Sequence, residues 1–300
     1  MSFSSDTREE LCREQVSDRQ SAVAECYGVL LFCNTFTDRG IKIITASVPF
    51  AKRLPRLFRR AFGFDFDLSP ENISDDRKMI FELNAPQKIA KILDTYGYDS
   101  GRLLVHHINR AVLEDEQSRV SFMRGVFLTG GSVTDPQKRY HLEFVTDHYY
   151  VNRELLALLS EMGFEPKETS RGGNYIAYIK QSEAIEDMLT TLGAPVSAMA
   201  IMEAKIMKDV KNSVNRRVNC DTANVTKTVY ASQEQIEAIK RLSINNGLDK
   251  LSEKLRRTAE LRIENPELSI GQLAELSDPP VSKSCMNHRL RKLVELSEGL

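Results

Sequence analysis

AECYGVLLFCNTFT (24–37) and SFMRGVFLTGGSVT (121–134) are two versions of one pattern, with Gly28 aligned on Gly125 at an offset of 97 positions. Self-similarity at one fixed spacing marks an internal repeat and organises everything around it. Each stretch leads into a strand-like run, IKIITASV (41–48) or YHLEFVTD (140–147), in which Thr45 answers Thr146. An amphipathic helix follows in both. Leu54, Leu57, Phe58 and Ala61 stand at i, i+3, i+4 and i+7, as do Leu155, Leu158, Leu159 and Met162. Both helices run into Gly-Phe (63–64 and 163–164), where glycine supplies a left-handed C-terminal residue. A strand, KMIFEL (78–83) or NYIAYIK (174–180), then precedes a last helix carrying Ile89, Ile92, Leu93 and Tyr96, or Ile185, Met188, Leu189 and Leu192. Gly97 and Gly193 close the two units, while Pro86 suits a first helical turn and Ser182 an N-cap. Each unit therefore predicts helix, strands, helix, strand, helix. Two such units sharing a core about a pseudo-two-fold axis make an α+β domain over residues 21–205, with repeats at about 21–110 and 120–205.

The opening helix of each repeat is apolar on nearly every side and is expected at the centre of the domain. Gly28 and Gly125 sit inside these helices although each costs about 1 kcal/mol relative to alanine. Close approach of the two backbones is the reason to bear it. The helices are expected to end at Asn34 and Gly131, residue types that tolerate positive φ. GVLLFCN and GVFLTGG resemble the LAGLIDADG motif of homing endonucleases, in which two such helices pack through small residues. That resemblance implies a metal-holding acid one place before each helix-end glycine. Cys33 and Gly130 stand there instead. A Mg²⁺ site needs oxygen ligands, and Asp38 and Asp135 lie too far along to serve. The reading is a structural helix pair (Gly28, Gly125, Gly131) with no catalytic residue and no metal or other cofactor. Related nucleases lay their sheets in the major groove, yet the outward positions here offer Lys42, His141 and Glu143, a weakly basic surface.

The chain has 300 residues, enough for two domains, and its 41% hydrophobic and 28% charged content is that of a soluble protein. No apolar run is long enough to span a membrane, and no membrane partner is expected. The polar start MSFSSDTREEL argues against a signal peptide, and Ser5 with Glu9 and Glu10 reads as a capped helix within residues 1–20. Five cysteines form no CxxC pair, which points to reduced thiols in the cytoplasm rather than disulfides or zinc. His106 and His107, neighbours on an expected helix, would diverge by about 100° and share a metal poorly.

The C-terminal stretch, 233–300, has another character. Ser269 can cap a helix bearing Ile270, Leu273 and Ala274, which Asp278-Pro279-Pro280 stops. Ser282 then caps a second helix whose inward stripe is Met286, Leu290, Leu293 and Val294. Two short helices around a tight turn, the second basic, predict an all-α helix-turn-helix domain. Opposite the stripe lie Ser284, His288, Arg291 and Lys292, with Asn287 and Arg289 flanking and Lys283 in the first turn. Between Val281 and Leu293 there are four basic residues and no acid, although the whole chain carries net charge −1. Ser282, Lys283, Ser284, Asn287, His288, Arg289, Arg291 and Lys292 are the DNA-binding set this predicts, in the major groove. Between the domains, 206–232 reads as a basic, asparagine-rich linker. Its Asn215, Arg216, Arg217, Asn219, Asn224 and Lys227 could touch the DNA backbone, or the segment could brace the two domains.

The whole is similar to the WhiA family. The resemblance runs through the MSFSS start, FMRGVFLTGGSV with HLEFVT, VNRRVNCDTAN and LSDPPVSKSCMNHRLRKL; the first repeat is the more divergent. It implies a degenerate LAGLIDADG domain joined to a helix-turn-helix, in a bacterial transcription regulator of sporulation and cell division. The implied partner is double-stranded DNA, with RNA polymerase or another regulator as a second, and the implied location is cytoplasmic and nucleoid-associated. Two other functions compete: an adaptor or chromosome-associated division factor whose front domain docks a protein, and a divalent-metal nuclease, which the missing acids oppose.

Overall fold

Two helices with almost no polar face can be satisfied only by each other and by what wraps them. In the computed structural model, which describes residues 2–74, 77–98, 105–244 and 251–298, these are α2 (Arg19–Leu31) and α5 (Glu116–Gly130). Residues 75–76 and 99–104 of the first repeat, and 245–250 and 299–300 of the tail, lie outside that description. Capped by Asp18 and Asp115, the two helices bury nearly every side chain beyond their first turns. Their contact is reciprocal. A Cβ on Gly28 would stand 2.2 Å from the Phe122 carbonyl and 2.7 Å from the Val126 nitrogen, and one on Gly125 would stand 2.1 Å from the Glu25 carbonyl and 3.0 Å from the Val29 nitrogen. Residues 25, 28 and 29 are related to 122, 125 and 126 by the same offset, so the pair obeys the two-fold symmetry of the repeat. No side chain fits at either glycine.

A sheet and two helices attach to each member of the pair. The first repeat adds β1 (Thr35–Phe36), β2 (Ile41–Thr45), α3 (Val48–Phe62), β3 (Met79–Leu83) and α4 (Pro86–Thr95), its antiparallel sheet ordered β1-β2-β3. The second adds β4 (Gly131–Val133), β5 (Leu142–Thr146), α6 (Tyr149–Glu161), β6 (Lys167–Arg171), β7 (Asn174–Ile179) and α7 (Ser182–Leu192), ordered β4-β5-β7-β6. The extra edge strand β6 is exposed throughout and reaches β7 through Gly172-Gly173, both at positive φ as a two-residue hairpin turn requires. In the first repeat the same place holds one bridge, Leu68 to Glu82. Strands β2 and β3 send Ile41, Ile43, Phe81 and Leu83 inward in one repeat, and β5 and β7 send Leu142, Phe144, Ala177 and Ile179 inward in the other.

Some local expectations need correction. The first helix, α1, covers Phe3–Arg13 within residues 1–20 and is capped by Ser2, not Ser5. Ser182 is the first residue of α7 and makes no cap. Gly131 has φ −87, in extended backbone, and α2 ends at Phe32 with φ −117. Neither helix end uses left-handed backbone there. Asn34 is needed for its side chain, whose Oδ1 accepts the Ile44 N–H at 2.8 Å. His106 and His107 lie in irregular chain, not on a helix.

Residues 206–232 are helical throughout, within α8 (Pro195–Ile244). The chain divides into two units, Met1–Lys208 and Asp209–Leu300, with α8 running from one into the other. In the second, the end of α8 packs with α9 (Glu253–Glu264), α10 (Ile270–Leu276) and α11 (Lys283–Glu298) around Ile239, Leu242, Ala259, Leu273, Met286, Leu290 and Leu293.

Candidate nucleic-acid interface

α10 begins with a full capping box, Ser269 and Gln272 satisfying each other's backbone N–H groups. The turn after it is tied by the Val281 N–H on the Ala274 carbonyl at 3.0 Å. Ser282 Oγ then accepts the Cys285 N–H at 3.2 Å and so caps α11. Met286, Leu290 and Leu293 are each 1% exposed or less, which fixes the helix's rotation. At 100° per residue, Ser284, His288, Arg291 and Lys292 then fall within about 100° of one another on the outer face. All four are exposed, as is Lys283 in the first turn, and Asn287 is half-buried at the edge.

Lys283, Ser284, Asn287, His288 and Arg291 meet no hydrogen-bond or ion-pair partner among the described residues, and the acid nearest them on that face, Glu295, holds Lys292 at 3.2 Å. Arg289 is turned elsewhere. It lines the cleft between α9 and the turn at Ser277–Pro279, with Glu260, Glu264 and Asp278 as its neighbours. Seven of the eight residues expected from sequence are thus brought to the start and outer face of one helix, and one is not.

The six expected backbone contacts on α8 do not form one face. By the same angle they spread over about 200° of the helix, with Arg216 and Lys227 in the middle, Asn215 at one edge and Arg217 with Asn224 at the other. The remaining arc is apolar. Met207, Val210, Val214, Val218, Val225 and Val229 recur every three or four residues with Asp221 in the one gap, and each is about half exposed or more.

In the front unit, the places where a related nuclease would hold metal are closed. Cys33 Sγ lies 3.2 Å from the Leu30 carbonyl and 3.1 Å from that of Thr35, and burial pushes its thiol up to about 12, so it stays protonated. A Cβ on Gly130 would meet Phe32 Cδ1 at 2.6 Å and the Val145 carbonyl at 2.7 Å. An acid there could not enter without displacing Phe32. Nearby, His106 stacks on His148 with ring centres 4.0 Å apart, and its Nε2 lies 2.8 Å from the Phe36 carbonyl. Burial first, and His148 second, hold the His106 imidazole below its usual range. Among the described residues no group of three or more His, Cys, Asp or Glu is arranged to hold a metal ion.

Sequence reasoning missed Arg262. It is 1% exposed in the core of the second unit, with no carboxylate on it among the described residues, and its Nη1 donates to the Leu268 carbonyl at 2.7 Å. The same nitrogen lies 3.4 Å from Ser232 Oγ, which itself donates to the Pro266 carbonyl at 2.5 Å. Arg262 thereby ties the loop before α10 to α8. The signal was present: Leu255, Thr258, Ala259 and Arg262 share the inward spacing of α9, so an arginine occupied a core position.

Two family models match the chain, the WhiA LAGLIDADG-like domain at residues 119–211 and the WhiA C-terminal HTH domain at residues 214–297. The probable cell division protein WhiA of Ruminiclostridium cellulolyticum is 39% identical over 308 residues, covering 100% of this chain and 98% of that one. Its namesake in Clostridium acetobutylicum is 35% identical over 312 residues with the same coverage. Among solved structures, full-length DUF199/WhiA from Thermatoga maritima aligns over 100% of this chain and 99% of its own at TM-score 0.59 and 24% identity, a likeness of fold.

Proposed function

This chain belongs to the WhiA family, and from that premise we propose that it is a sequence-specific DNA-binding transcription regulator of cell division and sporulation, nucleoid-associated and unable to cut DNA. The observation that carries this reading is the outer face of α11, where cations and amides are presented with few internal partners beside a tightly packed helix-turn-helix core. Arg and Asn side chains suit bidentate contacts with guanine and adenine in the major groove, and Lys283 and Ser284 suit phosphates. Genome-wide mapping of bound DNA tests it, comparing the intact chain with an Arg291→Glu, Lys292→Glu variant. Sequence-specific peaks should vanish in the variant; unchanged peaks would move specificity to another part of the chain. For the absence of cleavage, the support is the closed geometry at Cys33 and Gly130. Plasmid incubated with purified protein and Mg²⁺ or Mn²⁺ should remain intact.

One observation favours a second role alongside the first, recruitment of another protein, RNA polymerase or another regulator among them. The apolar stripe of α8 is flanked by Lys211 and Arg217, and that combination suits an acidic amphipathic helix. A Val214→Ser, Val218→Ser variant should keep its DNA affinity and lose regulation of its target promoters. Normal regulation by that variant would retire the role.

A further inference from the structure

Helix α3 carries Lys52, Arg53, Arg56, Arg59 and Arg60 and no acid. Two of these cations are committed. Arg59 holds Asp65 at 2.6 Å, and Arg53 is buried with both oxygens of Glu25 at 2.6 and 2.7 Å. Lys52, Arg56 and Arg60 follow one another at i, i+4 and i+8, exposed along one face. Arg60 gives one N–H to the Ser17 carbonyl at 3.1 Å, and neither Lys52 nor Arg56 meets an acceptor among the described residues. Like charges at this spacing weaken the helix that bears them, and an anion lodged between them removes the penalty.

The three side chains line a cleft of about 460 Å³ between α3 and the chain leaving α1, within the size range of small-ligand sites. Val16 and Pro49, both half-buried, give it an apolar wall, and Arg13 adds a further cation at the rim, shared with Glu9 at 2.7 Å. The wall opposite α3 is held in place from beneath. Arg53 Nη1 donates to the carbonyls of Cys12 (3.2 Å) and Glu14 (2.5 Å), so the buried Arg53–Glu25 pair fixes both sides of the cleft. Glu14, the one carboxylate among the described lining residues, lays its side chain against Gly193. The Cys12 thiol is pushed up to about 12 by burial and adds no negative charge.

We propose that this cleft binds a small organic polyphosphate of nucleoside-diphosphate size. Its phosphates lie along Lys52, Arg56 and Arg60, and its organic body lies against Val16 and Pro49. Successive cations on this face are about 6 Å apart along the helix axis, close enough for their long side chains to share neighbouring phosphates. Guanidinium forks match phosphate oxygens in pairs. A duplex backbone is convex and needs a broad shallow surface; a concave cleft with an apolar wall suits a molecule that enters it.

Isothermal titration calorimetry on the full chain tests the assignment with ADP, GDP, CDP and UDP, with pyrophosphate and adenosine as fragments and a 20-base-pair duplex as a competitor class. At least one nucleoside diphosphate should bind with a Kd below about 1 mM, more tightly than pyrophosphate, with adenosine undetected. A Lys52→Ala, Arg56→Ala variant should lose at least about tenfold in that affinity while melting no lower than the parent, since it relieves like-charge repulsion. Equal affinity for pyrophosphate would overturn the role of the apolar wall. Absence of binding by every diphosphate, or unchanged affinity in the variant, would overturn the site. So would a variant that weakens duplex binding while no diphosphate binds, because the cations would then belong to the DNA footprint.

Discussion

The outer face of the front unit's sheets and the outer face of α11 use similar side chains and treat them differently. On the sheets, Lys42 sits 2.8 Å from Glu82 across the β2–β3 ladder, and Glu143 takes both His141 at 3.0 Å and Ser132 at 3.2 Å. Between these pairs the face is apolar, with half-buried Ile44 opposite exposed Ile80 and half-buried Val145 opposite Ile176, which is buried. On α11 the cations are left open, apart from Lys292. Attraction to a polyphosphate backbone comes from cations that release counterions on binding, and a lysine already matched to a glutamate contributes little of it. The LAGLIDADG-like unit thus pairs the charges on its sheet faces internally, while the outer face of α11 leaves most of its cations unpaired among the described residues. The difference lies in pairing more than in composition.

The harshest way to break that comparison is to destroy the front unit. Gly125→Leu places a side chain where the Glu25 carbonyl already stands 2.1 Å from the Cβ position, and should cost more than about 4 kcal/mol, enough to abolish the front unit's melting transition. If the tail carries recognition, short-duplex affinity should stay within about threefold, read by fluorescence anisotropy. A large loss would return the sheets to the interface. Next in size is Arg291→Ala, which should weaken the specific duplex by about 1–3 kcal/mol and relax preference at one base position if it reads a base. Lys283→Ala, at an exposed lysine with no partner among the described residues, should instead weaken all sequences alike and reduce the salt slope by about 1.

Much of this was legible before any coordinates. The repeat showed itself because its helices keep one spacing and its units end in glycine, and Gly63, Gly97, Gly163 and Gly193 all have positive φ. What stayed hidden depended on contacts from outside the local pattern. Lys167–Arg171 contains no apolar residue to mark a strand, so β6 is visible only through the Gly172-Gly173 turn beside it. The asparagines of 206–232 suggested a connector, while the valine spacing that fits a helix went unused. On α11 the outer face followed from the apolar stripe alone. Arg289 did not, since its place is set by where the Ser277–Pro279 turn and α9 lie around it. Arg262 was hidden because an inward stripe is read by looking for apolar residues.

Arg262 offers a prediction on the tail alone. Replacing it with methionine keeps much of its volume but leaves the Leu268 carbonyl without its donor. The tail should lose about 1–3 kcal/mol, measured as a lower urea midpoint for the tail with the front unit unchanged. No change would mean that water replaces the guanidinium at little cost, and that the loop before α10 is not tied by it.

The smallest effect is the most direct test of pairing. Lys42 and Glu82 are 40% and 23% exposed, and an ion pair of that kind contributes at most about 1 kcal/mol to stability. Lys42→Ala should therefore leave the melting temperature almost unchanged and shift duplex affinity by less than about twofold. Glu82→Ala is the sharper probe, since it removes the acid and frees the lysine. If the sheets rest against DNA and only pairing keeps Lys42 silent, Glu82→Ala should tighten binding at low salt and steepen its salt dependence. If the sheets stand away from DNA, a freed Lys42 has nothing to meet and both quantities stay at the parent's values. The second result is the expected one, because Ile44 and Ile80 beside the pair form a surface that phosphates would have to desolvate against without return.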